Sequence, residues 1–132
     1  MKISASIKSS FQQHNINVET NGNAKSVTIN SKENGFGSSV NGGELLFLSL
    51  ATCFCNDLYR EAAKRNMNID SIDIIVSGEF GGEGEPAKSI TYEVDVQAKE
   101  SSKAQIRDLV ESVDKIAEIH NTLRQGINIK LK

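Results

Sequence analysis

Residues 45 to 55, LLFLSLATCFC, constrain the fold more than any other stretch of this chain. Nine of these eleven positions are apolar, both cysteines included, in a protein that is 38% hydrophobic overall. A surface helix carries an apolar stripe and a polar back, whereas this segment is apolar nearly all round and needs cover on every side. One chain of 132 residues with a modest core has little material for that, so a second copy is the expected cover. The only two cysteines, Cys53 and Cys55, sit inside the segment.

The length suits a single domain spanning residues 1–132, large enough to bury roughly two-thirds of its unfolded surface. A net charge of −2 gives no electrostatic reason to expect nucleic acid or an acidic membrane as partner. The opening MKISASIKSS lacks the apolar run of a signal peptide, and no stretch approaches the ~20 apolar residues of a membrane span. Two cysteines one residue apart do not make a disulfide framework. The expectation is a cytoplasmic protein with no nucleic-acid or membrane partner.

Alternation of apolar and polar residues predicts strands around Ile3–Ile7, Ile16–Val18 and Val27–Ile29. Asn21-Gly22-Asn23 can supply the positive backbone dihedrals of a tight hairpin. A Gly-rich polar loop, residues 32 to 43, leads into the first helix, with Asn41 as its cap and Glu44 at the capping-box position. That helix runs to about Asn66, fully buried in its first half and one-sided in its second. Strands around Ile72–Val76 and Ile90–Val96 follow, joined by the flexible GGEGEPA. A second helix starts at Ser101 or Ser102, carries an apolar stripe from Ile106 to Leu123, and ends at Gly126. Ile127, Ile129 and Leu131 predict a closing strand. The order is β-β-β-α-β-β-α-β, an α+β domain.

A thiol is the only obvious nucleophile. Residues two apart on a helix point about 200° apart, so Cys53 and Cys55 cannot join in a disulfide while the helix is intact. Buried free cysteine commonly serves as a small apolar filler. A reactive one needs a cation or a helix amino terminus to lower its pKa. Arg60 stands ~10 Å further along the axis from Cys53, and Asp57, one turn on, opposes thiolate formation. Two Cys and two His lack the paired spacings of structural zinc, so neither metal nor cofactor is expected; His14 and His120 read as solvated or hydrogen-bonded. GFGSSVNGG matches neither the P-loop nor the dinucleotide fingerprint.

NGGELLFLSLATCF, with the surrounding order of elements, resembles the OsmC/Ohr family of small bacterial thiol proteins. The closing EIHNTLRQGINIKL is similar to that family's final Cys-Pro-Val-x-Asn-x-Leu-x-x-Gly segment. The resemblance implies an intertwined homodimer with the long central helix packed between sheets. For peroxidase members it implies a cysteine thiolate that attacks a hydroperoxide, a second cysteine that resolves the sulfenic acid, and a dithiol reductant. Carried over, the nucleophile matches Cys53. The second cysteine falls at Ala117, its following proline at Glu118, and the family's glutamate at Gly43, beside Glu44. The arginine of the first strands has no counterpart, because Arg60 is the first arginine in the chain. Glu44 and a lysine such as Lys8 remain as candidate helpers, although lysine lacks the planar fork that grips a thiolate and a carboxylate together. Two functions follow as expectations: reduction of organic hydroperoxides by one cysteine with an external thiol reductant, or a non-catalytic homodimer holding a small apolar ligand at its interface.

Overall fold

The computed structural model describes residues 1–132. Its contacts group into two compact units, Met1–Leu45 and Leu46–Lys132. The first is a three-stranded antiparallel sheet, β1 (Ile3–Ser10), β2 (Gln13–Thr20) and β3 (Asn23–Val27), in the order β1-β2-β3. Between β2 and β3, Asn21 and Gly22 both have positive φ, 50° and 84°. These are the dihedrals a two-residue hairpin needs to match the twist of its strands. The Asn21 side chain also accepts the Lys2 backbone N–H at 2.9 Å, which fixes the end of β1 beside the turn.

The helix α1 (Gly42–Lys64) begins as its sequence predicts. Asn41 Oδ1 accepts the Glu44 backbone N–H at 2.9 Å, and Glu44 Oε2 accepts the Asn41 N–H at 2.7 Å. This reciprocal box satisfies two otherwise free donors. At the other end Asn66 takes a left-handed φ of 54°. The Met67 N–H reaches back to the Ala62 carbonyl at 2.9 Å and the Asn66 N–H to Ala63 at 3.1 Å. That Schellman closure satisfies the last carbonyls, and Met67 packs on the core that contains Ala62.

In the second unit β4 (Ser71–Phe80) and β5 (Ala87–Gln97) form an antiparallel pair. One face meets α1 and α2 (Lys103–Ile116) in a core of Phe54, Leu58, Ala62, Val96, Leu109, Val113 and Ala117. Ser102 caps α2, with Gln105 completing a capping box. The molecule is α+β, and none of its helices is long and apolar enough to cross a membrane.

Within one chain the apolar first half of α1 is only partly covered: Leu50 and Phe54 are buried, but Leu48 is 60% exposed, so the cover that the sequence assigns to a second copy is not supplied by the chain itself. Two expectations are corrected. The helix predicted to run to Gly126 is two helices, α2 and α3 (Glu118–Gln125), broken at Ala117, whose backbone is extended at φ −61° and ψ 109°. Asn121 Nδ2 donates to the Lys115 carbonyl at 3.0 Å and Arg124 Nη1 to the Asp114 carbonyl at 2.8 Å. Side chains of α3 thus bond carbonyls that the end of α2 leaves free, and this folds α3 back on α2. Finally, residues 127–132 form no strand. Their alternating apolar side chains pair with neither sheet, and Ile129 is 93% exposed.

Candidate functional site

The break at Ala117 turns the chain so that the first turn of α3 meets the middle of α1. The Cys53 Sγ lies 3.7 Å from Asp57 Oδ2 and 3.9 Å from Glu118 Oε2, and its single S–H can donate to either. Asp57 is almost fully buried, and its Oδ1 pairs with Arg60 Nη1 at 2.7 Å. The cation expected to lie too far from Cys53 therefore acts on Asp57 instead. Glu118, an acid at the first position of α3, also suits the positive end of that helix.

These neighbours hold the thiol protonated. Burial is the main cause, while the Ile119 backbone N–H pulls the other way, and the charges of Asp57 and Glu118 then push the Cys53 pKa further up. Burial likewise raises Asp57, with Arg60 opposing it and Glu118 adding to the rise. A carboxylate beside a neutral thiol can accept its proton during reaction, but it does not store a thiolate beforehand.

The three acidic groups also bear on metal binding. Ligand atoms of Cys53, Asp57 and Glu118 lie within 4.8 Å of one another. Asp57 is already tied to Arg60, and the arrangement reads as a hydrogen-bonded thiol.

Cys55 leaves α1 on another side, among Ala51, Thr52, Asn56, Ile72 and Ile74. Both cysteines are free. Ala117, where the resemblance would place a second cysteine, is fully buried and contributes only a methyl group. Glu44 is occupied in capping α1, and Lys8 stands exposed on β1, across from Asn15; both belong to the first unit. The sequence reading missed Glu118, which meets Cys53 across 65 positions and left no local pattern to find. It also missed the surroundings of His120. This side chain is neither solvated nor hydrogen-bonded: it is 5% exposed, with no partner for either ring nitrogen.

Fold and site together define a small α+β protein with one half-buried cysteine between a long helix and the turn that opens a short one. The family model for OsmC-like protein matches residues 35–132. The chain belongs to the OsmC-like family. None of the curated proteins matches it significantly, but solved structures do. The OsmC-like protein from Mycoplasma pneumoniae superposes with a TM-score of 0.66 at 17% identity, over 96% of this chain and 87% of that one. An organic hydroperoxide resistance protein OsmC from Legionella pneumophila gives 0.61 at 14% identity, over 99% and 95%. The organic hydroperoxide resistance protein OhrB of Bacillus subtilis gives 0.56 at 18% identity, over 100% and 97%. At such identities the likeness is one of fold.

Proposed function

We propose that this protein reduces organic hydroperoxides slowly through Cys53 alone, working as a homodimer. The observation that carries the reading is the placement of the Cys53 thiol against Asp57, itself oriented by Arg60. Asp57 takes the thiol proton as sulfur attacks the distal peroxide oxygen. The O–O bond breaks, a Cys53 sulfenic acid forms, and the proton leaves with the alkoxide as an alcohol. One external thiol then condenses with the sulfenic acid, releasing water and forming a mixed disulfide. A second thiol attacks that disulfide and returns Cys53 to its reduced state. Glu44 and Lys8 are not required for any of these steps. The named activity of the OhrB and Legionella proteins favours this chemistry. The exposed Leu48 and the apolar tail from Ile127 favour a second copy as cover.

The raised thiol pKa and the alanine at position 117 favour a second reading, in which the dimer binds a small apolar ligand at its interface without turnover. Brief exposure to a fatty-acid hydroperoxide with a sulfenic-acid trap, followed by intact-mass analysis, decides between them. Stoichiometric trapping that disappears in Cys53→Ser supports the one-cysteine reductase. Trapping no faster than that of an ordinary thiol leaves the second reading. Sedimentation equilibrium tests the dimer, and a monomeric mass at micromolar concentration would sink it.

A further inference from the structure

Among the charges around Cys53, one has no counterion. Along α1, Asp57 pairs with Arg60 at 2.7 Å, Arg60 with Glu61 at 3.3 Å, and Glu61 with Lys64 at 2.7 Å. Two carboxylates face two cations, and this row is neutral. The remaining ion pairs, Arg65 with Asp108 and Arg124 with Asp114, do not involve Glu118 either. Its carboxylate is therefore unpaired, and the positive end of α3 offsets only about half a charge.

An exposed carboxylate is ordinarily a solvated surface charge. This one is set apart by its position, since Glu118 is exposed while its Oε2 lies 3.9 Å from the half-buried Cys53 Sγ. Any group joined to that sulfur comes close to the unpaired charge. In a disulfide the incoming sulfur stands about 2.05 Å from Sγ. An ammonium two carbons beyond it reaches the Glu118 carboxylate, and a carboxylate in the same place is repelled by it.

We propose, resting on the one-cysteine reading above, that Glu118 selects the external reductant: a small aminothiol with its ammonium two carbons from sulfur, in preference to thiols that carry carboxylates. The first aminothiol condenses with the Cys53 sulfenic acid, forming the S–S bond and releasing water. A second attacks the sulfur of the first, so that Cys53 returns to the thiol and the small disulfide leaves oxidised. Glu118 attracts the entering cation in both steps and opposes an entering anion in both. Arg60 does not reverse the preference, because Asp57 and Glu61 already hold its guanidinium.

The test needs no peroxide. Full-length reduced protein carrying Cys55→Ser is mixed with cystamine, bis-hydroxyethyl disulfide or dithiodipropionate, which present cationic, neutral and anionic arms. Formation of the Cys53 mixed disulfide is timed by intact mass, and each rate is divided by that of uncharged N-acetylcysteine amide with the same probe. The thiolate fraction of Cys53 cancels between probes, so the normalised cation-to-anion ratio reports charge selection alone. That ratio is expected at roughly five- to tenfold in about 10 mM salt and below about threefold in about 0.5 M salt. Glu118→Gln, at an exposed position, is expected to bring it near one at low salt. A parent ratio near one, a reversed ratio, or a ratio unchanged in Glu118→Gln would overturn the selection while leaving one-cysteine chemistry standing. A folded protein whose Cys53 resists all three probes would overturn both.

Discussion

The two sheets read alike in sequence and differ in what they bury. In β1, Ile3, Ala5 and Ile7 alternate with polar residues, and β1 pairs with β2 along its whole length, yet every β1 residue is exposed. In β5, Ile90, Tyr92, Val94 and Val96 alternate in the same way, and Tyr92, Val94 and Val96 belong to or pack on a core in which Phe54, Leu58, Leu109 and Val113 are fully buried. Alternation decides which side chains share a face. Whether that face is covered depends on material elsewhere: α1 and α2 supply it for β5, and one copy of the chain does not supply it for β1.

The largest expected effect sharpens this contrast. Phe54→Ala removes a fully buried ring and is expected to lower stability by about 3–5 kcal/mol in urea melts. Ile7→Ala, at an exposed position, is expected to change it by no more than about 0.5 kcal/mol in dilute protein. A cost at Ile7 that approaches the Phe54 value and grows with protein concentration would break the comparison, since it would mean the first sheet is covered in solution.

Two glycines make a smaller version of the same test. A Cβ at Gly78 in β4 would collide with the Ser89 carbonyl and approach the Phe47 ring. Gly78→Ala is therefore expected to cost about 1–3 kcal/mol through overpacking. Gly22, at the tip of the β2–β3 hairpin, has open space around a Cβ position and only its φ of 84° to satisfy. Gly22→Ala is expected to cost about 1 kcal/mol from backbone strain alone. Equal costs at the two sites would show that close packing between β4 and β5 contributes less than their burial suggests.

The thiol site adds a pH-dependent prediction inside the better-packed unit. Because the Cys53 pKa lies above its ordinary value, its alkylation rate keeps rising past the ordinary thiol midpoint of about pH 8.5. Asp57→Asn removes a charge that raises that pKa, while its amide oxygen can still accept the thiol hydrogen. It is expected to speed alkylation several-fold near neutral pH. Unchanged rates would mean that burial alone controls the thiol.

Local chemistry was the legible part of the fold. Asn21-Gly22, the Asn41–Glu44 box and the alternation of β5 each act within a few residues, so the sequence carries them openly. The break at Ala117 was hidden because alanine is the best helix former, and it is made by Asn121 and Arg124 bonding carbonyls of α2 rather than by the residue itself. The closing strand was read from Ile127, Ile129 and Leu131, but alternation says only which side chains share a face, not that a partner strand is present, and within one chain this segment pairs with neither sheet. Cys53 was legible as the candidate nucleophile. Its neighbour Glu118 was not, since that contact depends on the break that alanine concealed.

The smallest effect concerns His120, where burial without a partner should be visible as a proton linkage. Burial, then Arg124 of α3, lower its pKa, while Asp114 of α2 and Asp57 of α1 oppose them; the Tyr92 ring of β5 packs against it. The folded state thus binds fewer protons at this site than the unfolded chain. The contribution of the neutral ring is complete above the unfolded value of about 6.5 and is lost as pH falls below it. Asp114 also loses stability on acidification, because hydrogen bonds from Tyr92 and Arg124 outweigh its burial and lower its pKa, but it does so only in the carboxylate range. The thermal midpoint is therefore expected to fall between about pH 7 and pH 5 in the parent chain and to fall less in His120→Phe. Equal slopes from pH 7 to pH 5 would mean that the imidazole titrates freely in the folded protein, and the contrast between an enclosed second unit and an open first one would then not extend to this corner of the core.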